Sequence, residues 1–151
     1  MSKLYFSIAE LTHSNKAILH GIDNTPDLES IDNMLNLIFY CLNPIRTALK
    51  KPMLVSSGYR CKELNAKVGG ASNSQHTKGQ AIDFIVDEMK IKDVIKFIRN
   101  TNIEYDQLIY EKRGAAEWIH ISYVKGRNRN QYLEIVEWNI HYCQSKENFL
   151  K

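Results

Sequence analysis

Two short stretches carry side chains that could do chemistry. SQHTKGQAIDF, residues 74–84, sets His76 and Asp83 seven residues apart across Gly79, and EWIHISY, residues 117–123, sets Glu117 three residues before His120. His76 and Asp83 alone admit a buried ion pair, a surface loop or a metal site. In a strand, alternate side chains share a face. Asp83 would then stand with Ala81 and Ile85, opposite Ile82, Phe84 and Val86, and His120 with Trp118 and Ser122, opposite Ile119 and Ile121. If the two strands are neighbours with their aliphatic faces on helices, Asp83 and His120 emerge on one open face and His76 folds over from the preceding loop. Two imidazoles and a carboxylate suit Zn²⁺, and three protein ligands leave the fourth tetrahedral position for water. Cleaving an amide there also needs a base that carries a proton to the leaving amine, for which Glu117 is the candidate. Three residues from His120 in a regular strand is the opposite face, so this role demands a bulge or an irregular first residue that turns Glu117 inward. Arg60, after the SSGY turn, is the candidate cation for an oxyanion or a substrate carboxylate.

The elements that must position these groups are legible in outline. Ser7 and Glu10 have capping-box spacing, and a second short helix is expected from Ser14 to about Gly21. Thr25 with Pro26 reads as the start of one long amphipathic helix carrying Leu28, Ile31, Leu35, Ile38, Leu42, Ile45 and Leu49. Pro44 within it predicts a kink or break near Asn43. MLVSS (53–57), QAIDFIV (80–86), QLIY (107–110) and EWIHISY (117–123) read as strands. CKELNAKV (61–68) and IKDVIKFIRN (91–100) read as helices, and a last strand or helix is expected around Tyr132–Trp138. Helices first, then mixed helix and sheet, indicate an α+β fold: N-terminal helices packed on a small, largely antiparallel sheet.

Composition narrows the alternatives. A chain of 151 residues, 44% hydrophobic, is sized for one domain, so residues 1–151 are read as a single unit. Twenty Lys and Arg against seventeen Asp and Glu leave +3, too small and dispersed to indicate nucleic-acid binding. Cys41, Cys61 and Cys143 are odd in number and lack CxxC spacing, which argues for reduced thiols rather than a disulfide framework or zinc knuckle. Cys61, beside Arg60, is the thiol that could close the metal site as a fourth ligand or else start a helix. No stretch has signal-peptide character or the roughly 20 apolar residues of a membrane span, so synthesis in the cytoplasm is expected. Asp87, on the Asp83 face, is the rival ligand; a solvated turn beside Glu88 is the competing account. His13, His20 and His141 have no comparable company, and RNRN (127–130) reads as a solvated loop. Trp118, Tyr59 and Tyr123 are candidates to line a substrate groove.

Taken in order, SSGYR (56–60), the S-x-H-x-x-G-x-A-x-D pattern of Ser74, His76, Gly79, Ala81 and Asp83, and the E-x-x-H of Glu117 and His120 resemble the M15 family of zinc peptidases. The likeness spans roughly residues 5–124 and is to the branch of D-Ala-D-Ala carboxypeptidases and phage endolysin-like enzymes, the family's subgroup A. It implies a hedgehog/DD-peptidase-like fold, Zn²⁺ as cofactor, and His76, Asp83 and His120 as its ligands. It further implies Glu117 as catalytic base and acid and Arg60 as substrate or oxyanion contact; Arg60, Ser74 and Trp118 form the expected substrate-binding set. The activity implied is hydrolysis of an amide bond in peptidoglycan stem peptides, at D-Ala-D-Ala or an L-Ala-D-Glu-type bond, in phage lysis or wall remodelling. A monomer without nucleic-acid partners, reaching the cell wall through holin-type release, completes the expectation. The rival is a non-catalytic zinc-containing module that grips wall peptide, as the related hedgehog domain keeps a similar site.

Overall fold

In the computed structural model, residues 3–136 and 139–141 are described; Trp138 of the expected last element and Cys143 lie outside them. The architecture is α+β, with helices against one face of a six-stranded sheet. Two short helices open the chain, α1 (Ile8–Thr12) and α2 (Asn15–Leu19), each started by a serine whose hydroxyl accepts a backbone N–H: Ser7 from Glu10 and Ser14 from Ala17, both at 3.1 Å. The long helix begins two residues later than the Thr25–Pro26 reading. Asp27 caps α3 (Leu28–Leu37), its carboxylate accepting from Ser30 N at 2.7 Å. Thr25 is already engaged with Asp23 through its own backbone N–H and hydroxyl.

Pro44 acts through a wider turn rather than a break. Residues Ile38–Leu42 form a π turn in which Asn43 N bonds back to Ile38 O, and α4 (Asn43–Leu49) continues from it with the proline in its first turn. Proline has no N–H to donate and crowds the carbonyl four residues back, and the widened turn absorbs both without ending the helix.

The strands are β1 (Met53–Ser57), β2 (Ala81–Val86), β3 (Gln107–Arg113), β4 (Ala116–Ser122), β5 (Gln131–Val136) and β6 (Asn139–His141), in spatial order β1-β2-β4-β3-β5-β6. All neighbours are antiparallel except β3 and β5. Helix α6 (Ile91–Arg99) turns Ile91, Val94, Ile95 and Ile98 into the core, the i, i+3, i+4, i+7 spacing of one helical face. Beneath the helices lie Ile82, Phe84 and Val86 of β2, Leu108 and Tyr110 of β3, and Ile119 and Ile121 of β4. Every one of these has the parity opposite to Asp83 and His120, so the other sheet face is left for polar groups.

Between β1 and β2 run α5 (Lys62–Lys67) and the single 3₁₀ turn Gln75–Lys78. That turn closes on Gly79, whose φ of +70° is the left-handed region, and a Cβ there would collide with the Ser30 carbonyl oxygen of α3. Glycine therefore lets the His76 turn lie directly against α3. Replacing Gly79 by Ala should cost at least about 1–2 kcal/mol from backbone strain alone, more once the clash is relieved, read as a fall in the chemical-denaturation midpoint. Unchanged stability would contradict the close approach.

Candidate metal centre

Asp83 and His120 are direct cross-strand partners in the β2–β4 ladder. His76 reaches them from the 3₁₀ turn, which Ser74 caps by accepting the His76 backbone N–H at 3.3 Å. All three side chains are buried. His76 Nε2 is 3.2 Å from Asp83 Oδ1 and 3.2 Å from His120 Nδ1, and His120 Nδ1 is 3.0 Å from the same Asp83 oxygen. A tetrahedral ion with bonds of 2.0–2.1 Å has ligand–ligand edges of about 3.3–3.4 Å, close to this triangle. It is the one convergence of at least three such ligand groups among the described residues.

The surroundings orient each donor. His76 Nδ1 is 2.7 Å from the Gly58 carbonyl, so that nitrogen carries a proton and donates it, and Nε2 is the nitrogen that faces the centre. Arg60 spends its guanidinium inward: Nε on Ser57 Oγ (2.9 Å), one terminal nitrogen on Asn65 Oδ1 (3.2 Å) and the other on Asp83 Oδ2 (3.3 Å). With Oδ2 held by the arginine, Oδ1 is the oxygen presented to the histidines. Burial alone would push the Asp83 carboxyl up, but the charge of His76 and hydrogen bonds from His120 and His76 hold it well below the usual carboxylate range. Burial lowers Arg60 from its ordinary value, opposed by the charges of Asp83 and Glu111. A buried, ionised carboxylate beside two imidazole donors fits a divalent cation of zinc's preferences.

Glu117 does not join them. The β3–β4 register runs without a shift from Leu108↔Ile121 to Arg113↔Ala116, so the bulge its inward turn requires is not there. Its side chain lies on the helix-side face opposite Lys112, 3.8 Å from that ammonium. The carboxylate on the metal-ligand face is Glu111. Ile109 lies opposite His120 in the ladder, and Glu111, two residues on, shares its face with Oε1 4.0 Å from His120 Nδ1. Burial, then the negative charge of Asp83, raise the Glu111 carboxyl above its ordinary value, against the pull of His120, Arg113 and Arg60.

Trp118 is half-buried in β4 with the parity of His120, and Ser74 lines a cleft of about 710 Å³ that opens beside His120 and Glu111. Cys61 is outside the triangle: its Sγ accepts the Leu64 N–H at 3.4 Å as the cap of α5. Asp87 is exposed in the turn after β2, and His13 and His20 are exposed. Tyr59 is buried against the N-terminal segment, its N–H donating to Leu11 O at 2.7 Å, and Tyr123 stacks on Tyr40.

A buried His/Asp/His cluster on the open face of an α+β sheet, with a carboxylate and a cleft beside it, is a donor set that could hold one divalent metal. The family model described as Peptidase M15 matches residues 4–122, and the chain belongs to that family, whose members are zinc metallopeptidases. No curated protein matches the chain. No helix among the described residues is long and apolar enough to cross a membrane.

Proposed function

We propose that the protein is a zinc-dependent peptidase cutting an amide bond of peptidoglycan stem peptides, at the D-Ala-D-Ala end or at an L-Ala-D-Glu-type bond, in phage lysis or wall remodelling. The observation that carries the reading is the set of three donor atoms 3.0–3.2 Å apart with the Glu111 carboxylate 4.0 Å from one of them, at the mouth of a peptide-sized cleft. His76, Asp83 and His120 would hold the zinc, which when bound polarises a carbonyl and lowers the pKa of water to about 7. Glu111, in place of Glu117, takes the proton of the attacking water and delivers it to the leaving amine nitrogen, so that one carboxylate serves as base and then acid. A half-buried carboxylate 4.0 Å from His120 is placed to take that proton and return it. Arg60 holds Oδ2 of Asp83 and so orients the carboxylate; of its five N–H donors three are committed, and the remaining two are its means of meeting substrate charge. Ser74 in the cleft and Trp118 on the open face are the neighbouring substrate contacts.

Digestion of purified peptidoglycan by the zinc-loaded protein, with products identified by mass spectrometry, tests this. We expect peptide fragments with one defined new terminus and none after chelation. Retention on the wall without fragments would instead establish a peptide-gripping module, and neither fragments nor retention would overturn the assignment to the wall.

A further inference from the structure

The cleft beside the candidate metal centre is electrically lopsided. Its lining carries three cations, Lys78, Arg127 and Arg129, against two carboxylates, Asp106 and Glu111, with His120 also in the lining. Asp106 is buried and fully used by one of those cations: Arg129 Nε and a terminal nitrogen reach its two oxygens at 2.8 and 2.7 Å, and Gln75 Nε2 adds a third bond at 2.8 Å. Lys78 and Arg127 are exposed, and among the described residues neither has a carboxylate partner. Both stand on anchored backbone. Lys78 belongs to the His76 turn, and its carbonyl accepts from Asn33 Nδ2 at 2.9 Å. Arg127 closes a turn onto Val124 O at 3.0 Å, in a loop pinned by Arg129 to Asp106 and by Asn130 N to Tyr105 O at 2.9 Å.

We propose that Lys78 and Arg127 form a carboxylate subsite, so that the cleft takes peptides carrying a free carboxylate away from the bond at the metal centre. The inference rests on the peptidase reading for its ligand class. A neutral peptide gains nothing from two uncompensated cations, whereas an anionic one is both attracted and oriented, its charge at Lys78 and Arg127 and its backbone toward His120. A stem peptide offers two such groups, the α-carboxylate of γ-linked D-Glu and the C-terminus, and the shared chemistry is a single carboxylate.

The probe is L-Ala-γ-D-Glu-L-Lys-D-Ala-D-Ala, with versions amidated at the D-Glu α-carboxylate, at the C-terminus, or at both. Calorimetric titration of the zinc-loaded Glu111→Gln protein reads binding apart from turnover. We expect the free peptide to bind about tenfold more tightly than the doubly amidated one, the single amides showing which carboxylate is held. Each of Lys78→Gln and Arg127→Gln should cost roughly threefold, a size set by exposed ion pairs, and the double substitution should erase the difference between acid and amide. Equal affinity for acid and amide, or a difference that survives the double substitution, overturns the subsite. Wild-type protein that yields no peptidoglycan fragments while the binding difference persists would sink the peptidase reading and leave the subsite standing.

Discussion

Glu111→Gln will lower peptide hydrolysis by on the order of 10²–10⁴, the usual contribution of a positioned acid–base group, while leaving zinc content unchanged. Glu117→Gln in the same assay will keep activity within about threefold. The contrast follows from strand parity. Glu111 shares the face of Ile109, the cross-strand partner of His120, whereas Glu117 pairs with Lys112 on the helix side of an unshifted ladder. A carboxylate paired with Lys112 on one face of a sheet cannot reach a proton on the other. Glutamine preserves the size of Glu111 and removes only its ability to take a proton, so a loss of turnover with retained metal isolates that step. The reverse pattern, activity lost in Glu117→Gln and kept in Glu111→Gln, would require the register of β4 to shift when metal or substrate binds. Acidification should inactivate the enzyme through the same group, because a carboxyl that is already protonated accepts no proton from water.

The same parity explains what the sequence reveals and what it conceals. Alternation alone puts Asp83 and His120 on one face, and adjacency of β2 and β4 then makes them direct partners. His76 is placed by a glycine whose left-handed conformation is needed to bring its turn against α3. The motif spacing E-x-x-H points to Glu117, yet three residues in a strand is an odd separation. The signal for Glu111 lies in extending QLIY by one residue: Ile109 and Glu111 then alternate onto one face, but only the β3–β4 register shows that this face meets His120. Arg60 is a second case. Its type and position suggest a substrate cation, while the structure gives its fork to Ser57 and Asn65 close by in the chain and to Asp83 on β2, and the last of these becomes visible only once β1 and β2 pair. The π turn before Pro44 is intermediate: the proline marks where the helix must yield, but straight continuation through a wider turn depends on Ile38, Cys41 and Leu42 staying in the core.

Zinc will raise the melting temperature of the metal-free protein, and Asp83→Asn will abolish that rise. An ion that binds only the folded chain at a thousandfold excess over its Kd stabilises by about 4 kcal/mol, which for a chain of this size is a shift of roughly 10 °C. Two distinct losses follow from the single substitution. The amide removes the anionic ligand, and it also strips the buried Arg60 guanidinium, 14% exposed, of the carboxylate 3.3 Å away. Removing one partner of a buried pair costs about 3–5 kcal/mol when the other stays charged; at 14% exposure some solvent reaches Arg60, so the lower end applies. Asp83→Asn should therefore melt below the wild type even before zinc is added, whereas His120→Gln, which disturbs no arginine but removes one hydrogen bond to Asp83, should lose less metal-free stability than Asp83→Asn and lose the zinc response as well. Adding Arg60→Met to Asp83→Asn should restore part of the metal-free stability, because the uncompensated charge goes with it. A zinc response that survives in Asp83→Asn, or a wild type that zinc does not stabilise, would mean that these three side chains do not hold the ion.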